Sequence, residues 1–382
     1  MGAATEFFAT CAPGLEPVLH QELKDLKLAR IERQVGGCRF DGTRLDAARA
    51  NLWLRTANRV LLRVARFECA SESQLYEGAL EVPWEKWLKP DGTLRVKARA
   101  RDSTMTHARY VEQRVKDAIC DRFRRDHGTR PSVGESGVDL GISVHLYRDR
   151  AILALDTSGE PLYKRGWRQA QGRAPLPETL AAGMLLLSQW DRRSPLLDPF
   201  CGSGTLLVEA ALMAADVAPG SFRSFGMERW RDAQPVMFER LRAEAEERRR
   251  PIKKLQLVGS DIDGERVQDT DRNLAAAGIS ANLHLDVLDA RLFSPKPGWN
   301  GHIVTNAPWG SRVGAGGQER LLSLYRSFGA QLRQKCEGYG LALLGGTEQQ
   351  LEALNVPGEQ RELANGNQPC VLLLKGALGG PA

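Results

Sequence analysis

Apolar positions recur along the chain with different spacings in its two halves. Up to about Arg150, short alternating runs and helical stripes are interleaved in α+β order. Phe7-Phe8-Ala9-Thr10 reads as a strand, and after the Pro13-Gly14 turn Leu15, Val18, Leu19, Leu23 and Leu26 recur at helical spacing. Residues 36–40 and 60–67 read as strands, 45–54 as a helix and 84–88 as a short helical turn. Over residues 93–100, Leu94, Val96 and Ala98 alternate with Arg95, Lys97 and Arg99, which predicts a half-exposed strand with a basic outer face. Ser103 is a candidate N-cap for a helix reaching Arg125. Its stripe of Val111, Val115, Ala118, Ile119 and Phe123 lies opposite Arg109, Arg114, Lys116, Arg122, Arg124 and Arg125. Residues 138–146 and 151–156 read as two strands joined at Arg148-Asp149-Arg150.

From about Pro175, strand and helix alternate. Helix 177–190 precedes strand 195–198, a glycine loop and helix 205–216. Strand 255–260, helix 264–277, strands 282–285 and 302–306, helix 319–335 and strand 339–344 follow. That grammar predicts an α/β, doubly wound parallel sheet. Asn365-Gly366, between runs 361–364 and 370–374, favours a hairpin that closes the sheet with an antiparallel pair. Between the halves, residues 159–173 read as a connector. There Lys164, Arg165, Arg168 and Arg173 interleave with Tyr163 and Trp167, a composition that suits single-stranded nucleic acid.

Composition narrows the classes. The 53 basic and 47 acidic residues leave a net charge of +6, compatible with a polyanionic partner. No apolar run approaches the roughly 18 residues of a membrane helix, and the first ten residues lack a basic stretch ahead of an apolar core. Neither membrane insertion nor a signal peptide is expected. The seven cysteines, at 11, 38, 69, 120, 201, 336 and 370, are scattered without a CxxC pair, and the six histidines form no ligand-spaced cluster. Reduced thiols in a cytoplasmic protein without a metal are the expectation.

The strongest chemical signal is Asp198-Pro199-Phe200-Cys201-Gly202-Ser203-Gly204-Thr205, between a buried strand and a helix. Its glycines allow a sharp turn and close ligand approach, and no lysine follows the second glycine, which disfavours an ATP phosphate cradle. Asp261, ending the next strand with Ile262 and Asp263, can accept from both hydroxyls of a ribose, while Asp263 is suited instead to cap the following helix. Asp289-Ala290 follows the next strand, where a carboxylate receives an adenine amine or caps a turn. Taken in order, these residues are what a nucleoside site at a topological switch point requires. Asn306-Ala307-Pro308-Trp309 follows the next strand again.

This last set resembles the class I methyltransferases that use S-adenosylmethionine and methylate exocyclic amines of bases, whose tetrapeptide is [DNS]-P-P-[YFW]. More specifically, the chain resembles the THUMP-domain RNA guanine-N2 methyltransferases, nearest the bacterial large-subunit ribosomal RNA branch. The resemblance rests on Leu155-Asp156-Thr157-Ser158-Gly159-Glu160, Lys164-Arg165-Gly166-Trp167-Arg168, Ala174-Pro175-Leu176, residues 198–211 and residues 214–220. It implies a ferredoxin-like segment over 1–43, with later strands possible in it, a THUMP RNA-binding domain over 44–156, a linker over 157–174 and a Rossmann-like methyltransferase domain over 175–382. It implies that Asp198, Phe200, Cys201, Gly202, Gly204, Thr205, Asp261, Ile262, Asp289, Ala290 and Asn306 hold S-adenosylmethionine. Asn306, Ala307, Pro308 and Trp309 would hold the target amine as catalytic residues. Arg95, Lys97, Arg99, Arg109, Lys164, Arg165 and Arg168 would bind RNA, ribosomal rather than transfer RNA, and Arg312 with residues 314–317 would close over the pocket. Against the Asn-Pro-Pro-Tyr usual in the family it resembles, the chain departs in Ala307, where loss of the first proline frees one φ angle, and in Trp309; it departs also in Gly301-His302, where an acidic residue is usual. The 382 residues do not contain the second methyltransferase domain that some members carry as a fusion. A transfer RNA enzyme, a DNA adenine-N6 enzyme and an RNA-binding protein without turnover are the competing readings.

Overall fold

The computed structural model describes residues 5–170, 175–252, 255–279, 282–309 and 317–378. Its elements run β1 (Thr5–Thr10), α1 (Glu16–Asp25), β2 (Ala29–Gln34), β3 (Gly37–Gly42), α2 (Arg44–Trp53), β4 (Arg59–Glu68), α3 (Glu72–Leu80), β5 (Thr93–Arg101), α4 (Ala108–His127), β6 (Ser132–Val133), β7 (Leu140–Tyr147) and β8 (Arg150–Asp156). They continue with α5 (Glu178–Leu187), β9 (Leu196–Asp198), α6 (Thr205–Ala214), α7 (Pro235–Glu247), β10 (Gln256–Asp261), α8 (Gly264–Ala276), β11 (Asn282–Val287), β12 (His302–Asn306), α9 (Gly317–Lys335), β13 (Gly340–Gly345), α10 (Glu348–Leu354), β14 (Glu359–Asn365) and β15 (Gln368–Lys375). Two compact units result: Met1–Cys11, His20–Leu162 and Arg223–Glu244 form one; Ala12–Leu19, Tyr163–Phe222 and Ala245–Ala382 form the other. No helix among the described residues is long and apolar enough to cross a membrane.

The first unit is built on an eight-stranded sheet of order β2-β3-β1-β4-β8-β7-β5-β6. Phe7 sits opposite Phe40 of β3 and Leu62 of β4, and the two phenyl rings stack at 5.4 Å. β4 pairs with β1 on one side and β8 on the other, so hydrogen bonding is continuous across positions 43 and 44. The corner after β8 is fixed by a buried polar network. Asn51 Nδ2 donates to Ala47 O (2.9 Å) and Thr157 Oγ1 (2.7 Å), and its Oδ1 accepts from Ser158 Oγ (2.5 Å). Thr157 Oγ1 donates to Val60 O (2.7 Å), and Ser158 Oγ accepts from Val60 N (2.8 Å). The Asp156-Thr157-Ser158-Gly159 motif thus serves the fold.

α4 differs from expectation at its start. It begins at Ala108 with His107 in the cap position, and Ser103 instead donates from Oγ to Arg101 O (3.0 Å) and accepts from Asp149 N (3.1 Å). Its apolar stripe is buried as predicted, but its cations are largely compensated by nearby acids. Arg114 pairs with Glu72 (2.9 Å), Arg122 with Glu85 (2.8 Å), Arg124 with Asp121 (2.6 Å) and Arg125 with Asp126 (2.7 Å). Arg99 and Arg109 are exposed and make no ion pair with described residues. The basic face is therefore much weaker than the sequence implies, because carboxylates on α4 itself, on α3 and at Glu85 just beyond α3 offset it.

The second unit carries a seven-stranded sheet of order β11-β10-β9-β12-β13-β15-β14. β9 to β13 are mutually parallel, and β15 lies antiparallel between β13 and β14. The chain moves from β9 to one side through β10 and β11, then crosses to the other side for β12, so the strand order reverses at β9. A crevice opens at the carboxyl ends of strands at such a point. Helices α5 and α6 are almost wholly buried, which suits sequences apolar all round apart from Glu178, Thr179, Thr205 and Glu209.

The Asn51 network generates a stability prediction. Asn51→Leu removes the donor to Thr157 and the acceptor for Ser158, leaving buried hydroxyls short of partners. A loss of about 2 kcal/mol is expected, read as a lower urea midpoint; an unchanged midpoint would contradict the role given to the network.

Candidate active site

Four strand tips converge on one cavity of about 810 Å³. β9 delivers Pro199, Phe200 and Gly202; β10 delivers Asp261 and Ile262; β11 leads to Asp289, Ala290 and Arg291; β12 leads to Asn306, Ala307, Pro308 and Trp309. The sequence-predicted residues on these four loops are therefore brought together, while Asp198, Cys201, Gly204 and Thr205 lie behind the lining.

Asp198 is buried at the end of β9, where Oδ1 accepts from Thr305 Oγ1 (2.6 Å) and Phe200 N (3.2 Å). Burial pushes its carboxyl up to about 7, against those two donors, and the Asp261 charge adds to the rise. Burial also pushes the Cys201 thiol well up, so it is a packed, protonated group. Gly202 adopts φ +55, and nothing lies within 4 Å of the place a Cβ would occupy. Gly204, at φ +78, has the opposite constraint: its Cβ would meet Thr270 Cγ2 at 2.6 Å. One glycine leaves ligand space open, and the other lets α6 approach α8 closely.

The loop is held from behind by residues distant in sequence. Asn273 is fully buried and uses its whole amide: Nδ2 donates to Ser203 O (2.9 Å) and Ala170 O (2.8 Å), and Oδ1 accepts from Gln169 N (2.8 Å) and Ala170 N (3.0 Å). Arg168 donates to Glu178 Oε1 (2.8 Å), Ser203 Oγ (3.2 Å) and Thr205 Oγ1 (2.9 Å). Arg165, 2% exposed, pairs with the fully buried Glu209 at 3.2 Å, and Trp167 is buried too. This corrects the reading of the connector as an RNA-binding surface. Arg165, Trp167 and Arg168 face inward, because Glu209 and Glu178 would otherwise be buried without a counter-charge. Lys164 and Tyr163 remain exposed, while Arg173 and Ala174 lie outside the described residues.

Asp261 Oδ2 accepts from Gly202 N (2.9 Å) and Oδ1 from Asp263 N (3.0 Å), which leaves acceptor capacity on each oxygen of this cavity-lining carboxylate. Asp263 caps α8 by accepting from Glu265 N. Asp289 accepts from Arg291 N (2.9 Å) and pairs with the Arg291 guanidinium, whose hydrogen bonds hold its carboxyl below the usual range. It thus acts as a cap and lines the cavity at once.

On the last loop, Trp309 Nε1 donates to Asn306 Oδ1 (2.9 Å), and Tyr325 Oη donates to Pro308 O (3.2 Å). Ala307 is buried in the cluster that contains Phe293, Tyr325 and Phe328. The φ freedom introduced by Ala307 is therefore countered by packing and by two side-chain hydrogen bonds. Arg312 and residues 314–316 lie outside the described residues; Gly317 is the first residue of α9. Sequence reasoning missed Arg320 and Ser323 of α9 and Asn365 and Gln368 of the hairpin, all of which line the cavity. The Asn-Gly pair signalled the turn but not where its flanking amides would sit.

Three family models match the chain: an RlmL ferredoxin-like domain over residues 6–61, a THUMP domain over 69–156, and an RMKL-like methyltransferase domain over 165–373. The chain belongs to the family of RMKL-like methyltransferase domains, and its fold is the α/β methyltransferase fold with N-terminal ferredoxin-like and THUMP regions. The ribosomal RNA large subunit methyltransferase K/L of Methylococcus capsulatus is 39% identical over 98% of this chain and 51% of its own length. The chain spans about half the length of the curated relatives it matches. A possible methylase from Clostridium difficile 630 superimposes with a TM-score of 0.90 at 28% identity, covering 99% of this chain and all of that one. A crystal structure determined as a complex with SAH gives 0.88 at 28% identity, with both chains fully covered.

Two predictions follow from the buried charges. The Asp198 carboxyl titrates near 7 in the fold and near the ordinary carboxylate value when unfolded, so the folded state holds the extra proton between these limits. Its contribution to stability is present at low pH and is lost as pH rises through about 7. Asp198→Asn should therefore show a rising urea midpoint relative to the unsubstituted protein from pH 5 to pH 8; parallel profiles would rule this out. Arg168→Ala leaves Glu178 buried and unpaired, and should cost about 3 kcal/mol in denaturant titrations, with Arg168→Lys recovering only part of it.

Proposed function

We propose that the chain catalyses methyl transfer from S-adenosylmethionine to the exocyclic N2 amine of a guanosine in structured RNA, namely large-subunit ribosomal RNA, in the bacterial cytoplasm. One observation carries the reading. The tips of four parallel strands place Gly202, Asp261, Asp289 and the Asn306–Trp309 loop around a single cavity. The methyltransferase family, the SAH seen in a structural neighbour and the ribosomal RNA relatives support it. The THUMP match, with exposed Arg99, Arg109 and Lys97 in the same unit, supports RNA as the partner. On this reading the segments are a ferredoxin-like piece over 1–43 continuing into β4, a THUMP domain to 156, a linker to 174 and the methyltransferase domain beyond.

The residues present suit an adenosyl ligand. The space over Gly202 is empty of side chains, Asp261 keeps a free lone pair on each oxygen for ribose hydroxyls, and Asp289 with Ala290 lies where a base edge would fall. Asp198, Cys201, Gly204 and Thr205 act from behind by fixing the loop. The cofactor supplies an electrophilic methyl group on a sulfonium centre.

An aryl amine is a poor nucleophile because its lone pair is delocalised into the ring. Asn306 Oδ1 and the Ala307 carbonyl accept from its two N–H groups, which draws density onto nitrogen as the N–C bond forms. The proton then leaves to water, and no general base is required. Trp309 orients the Asn306 amide through its indole N–H and offers a ring to the base, while Tyr325 holds the loop. Alignment of the reacting atoms supplies much of the rate.

Asn306→Ala should leave S-adenosylmethionine affinity by calorimetry nearly intact and reduce methyl incorporation into large-subunit ribosomal RNA by a factor on the order of 100 or more. Methylation at the unsubstituted rate would refute the assigned role. Incorporation into transfer RNA alone would move the substrate to the other branch of the family.

A further inference from the structure

The polar groups of the cavity wall differ in how far they are already engaged. Around β10 and β11 the lining aspartates already hold internal donors: Asp261 those of Gly202 and Asp263, Asp289 that of Arg291. Elsewhere the wall contains Asn365 and Gln368, at the ends of β14 and β15. Neither carboxamide makes a hydrogen bond through its side chain with a described residue, although both line the cavity. The two are directly opposite in the antiparallel register, so their side chains leave the same face of the hairpin. The intervening Gly366 takes φ +63, which closes the turn tightly enough to hold the pair side by side.

A free carboxamide offers a carbonyl acceptor and an NH₂ donor in one plane. Beyond the N2 amine, the pairing edge of guanine presents an N1–H donor and then the O6 acceptor, and a carboxamide matches both at once. Adenine reverses this pattern with an N1 acceptor and an amine. A nucleotide taken out of its stack is read on this edge by groups that project into the pocket.

We infer that Asn365 and Gln368 are specificity-determining residues that read the N1–H and O6 edge of the target guanine, while Asn306 and Ala307 hold its N2 amine. This rests on the guanine-N2 reading above. The hairpin that completes the sheet thus selects the base, and the β12 loop activates it. Loss of a carboxamide leaves the N2 contacts in place and removes only the preference for guanine over bases with a different edge.

The test begins with the unsubstituted protein, S-adenosylmethionine and large-subunit ribosomal RNA from cells lacking the gene, with nucleoside mass spectrometry to locate the product. A synthetic RNA hairpin bearing that site then carries either guanosine or 2-aminopurine riboside, which keeps the N2 amine but lacks O6 and the N1 proton. The unsubstituted protein should favour guanosine by about tenfold or more in kcat/KM. Gln368→Leu and Asn365→Leu should each lower kcat/KM on guanosine while leaving the 2-aminopurine rate and SAH affinity unchanged, so that the preference collapses. Gln368→Glu and Asn365→Asp, which keep the size but lose the donor to O6, should collapse it too and serve where a leucine variant does not fold. Retained preference in the variants, or an equal fall on both substrates, would overturn the inference. Absence of N2-methylguanosine from the first step would instead overturn the reading on which it rests.

Discussion

The second unit depends on keeping a glycine loop open on one side by tying it down on the other. Nothing lies within 4 Å of where a Gly202 Cβ would stand, and the backbone around that open space is held from behind. Asn273 fixes it by spending all four hydrogen-bonding capacities of its amide between the connector and Ser203. Arg168 adds four more bonds, to Glu178, Ser203, Thr205 and the Leu176 carbonyl. On the glycine-loop side, the cavity then presents loop backbone and Asp261, whose own oxygens are held by Gly202 and Asp263. Preorganisation of this sort reduces the ordering entropy that a ligand would otherwise have to overcome on binding.

The same logic governs the β12 loop. The tetrapeptide that the Asn306–Trp309 loop resembles has its first proline at the position of Ala307, and a pyrrolidine ring stiffens backbone locally through φ. Here stiffness comes from tertiary contacts. The Ala307 methyl is buried among aromatic rings, Tyr325 holds Pro308 O, and the Trp309 indole holds Asn306. A tyrosine ring carries no donor at the corresponding ring position, so the tryptophan supplies an orienting contact along with stacking surface. Local rigidity and long-range packing are interchangeable means to one end.

Much of the fold was legible because parallel strands buried on both faces read as apolar runs, and the α4 stripe was complete from Val111 to Phe123. The strand-tip residues were legible because chemistry fixes their order along the chain. Elements with polar sequences escaped notice: β2, with exposed Arg30, Glu32 and Arg33, and helices α3, α7 and α10. The connector arginines misled for a different reason. Whether Arg165 is solvated or buried depends on Glu209, 44 positions away, and no local pattern encodes that pairing. Likewise the hairpin amides sit at the cavity only because β15 inserts between β13 and β14.

The strand β4 has a consequence for how the N-terminal half behaves as material. It belongs at once to the sheet of the ferredoxin-like segment, through β1, and to that of the THUMP segment, through β8. Cutting the chain on either side of it strips one partner of its neighbour and exposes a long row of unpaired amides, an adhesive edge. The two segments therefore melt and refold together as a single cooperative block, and neither can be exchanged for a foreign module without carrying that shared strand along.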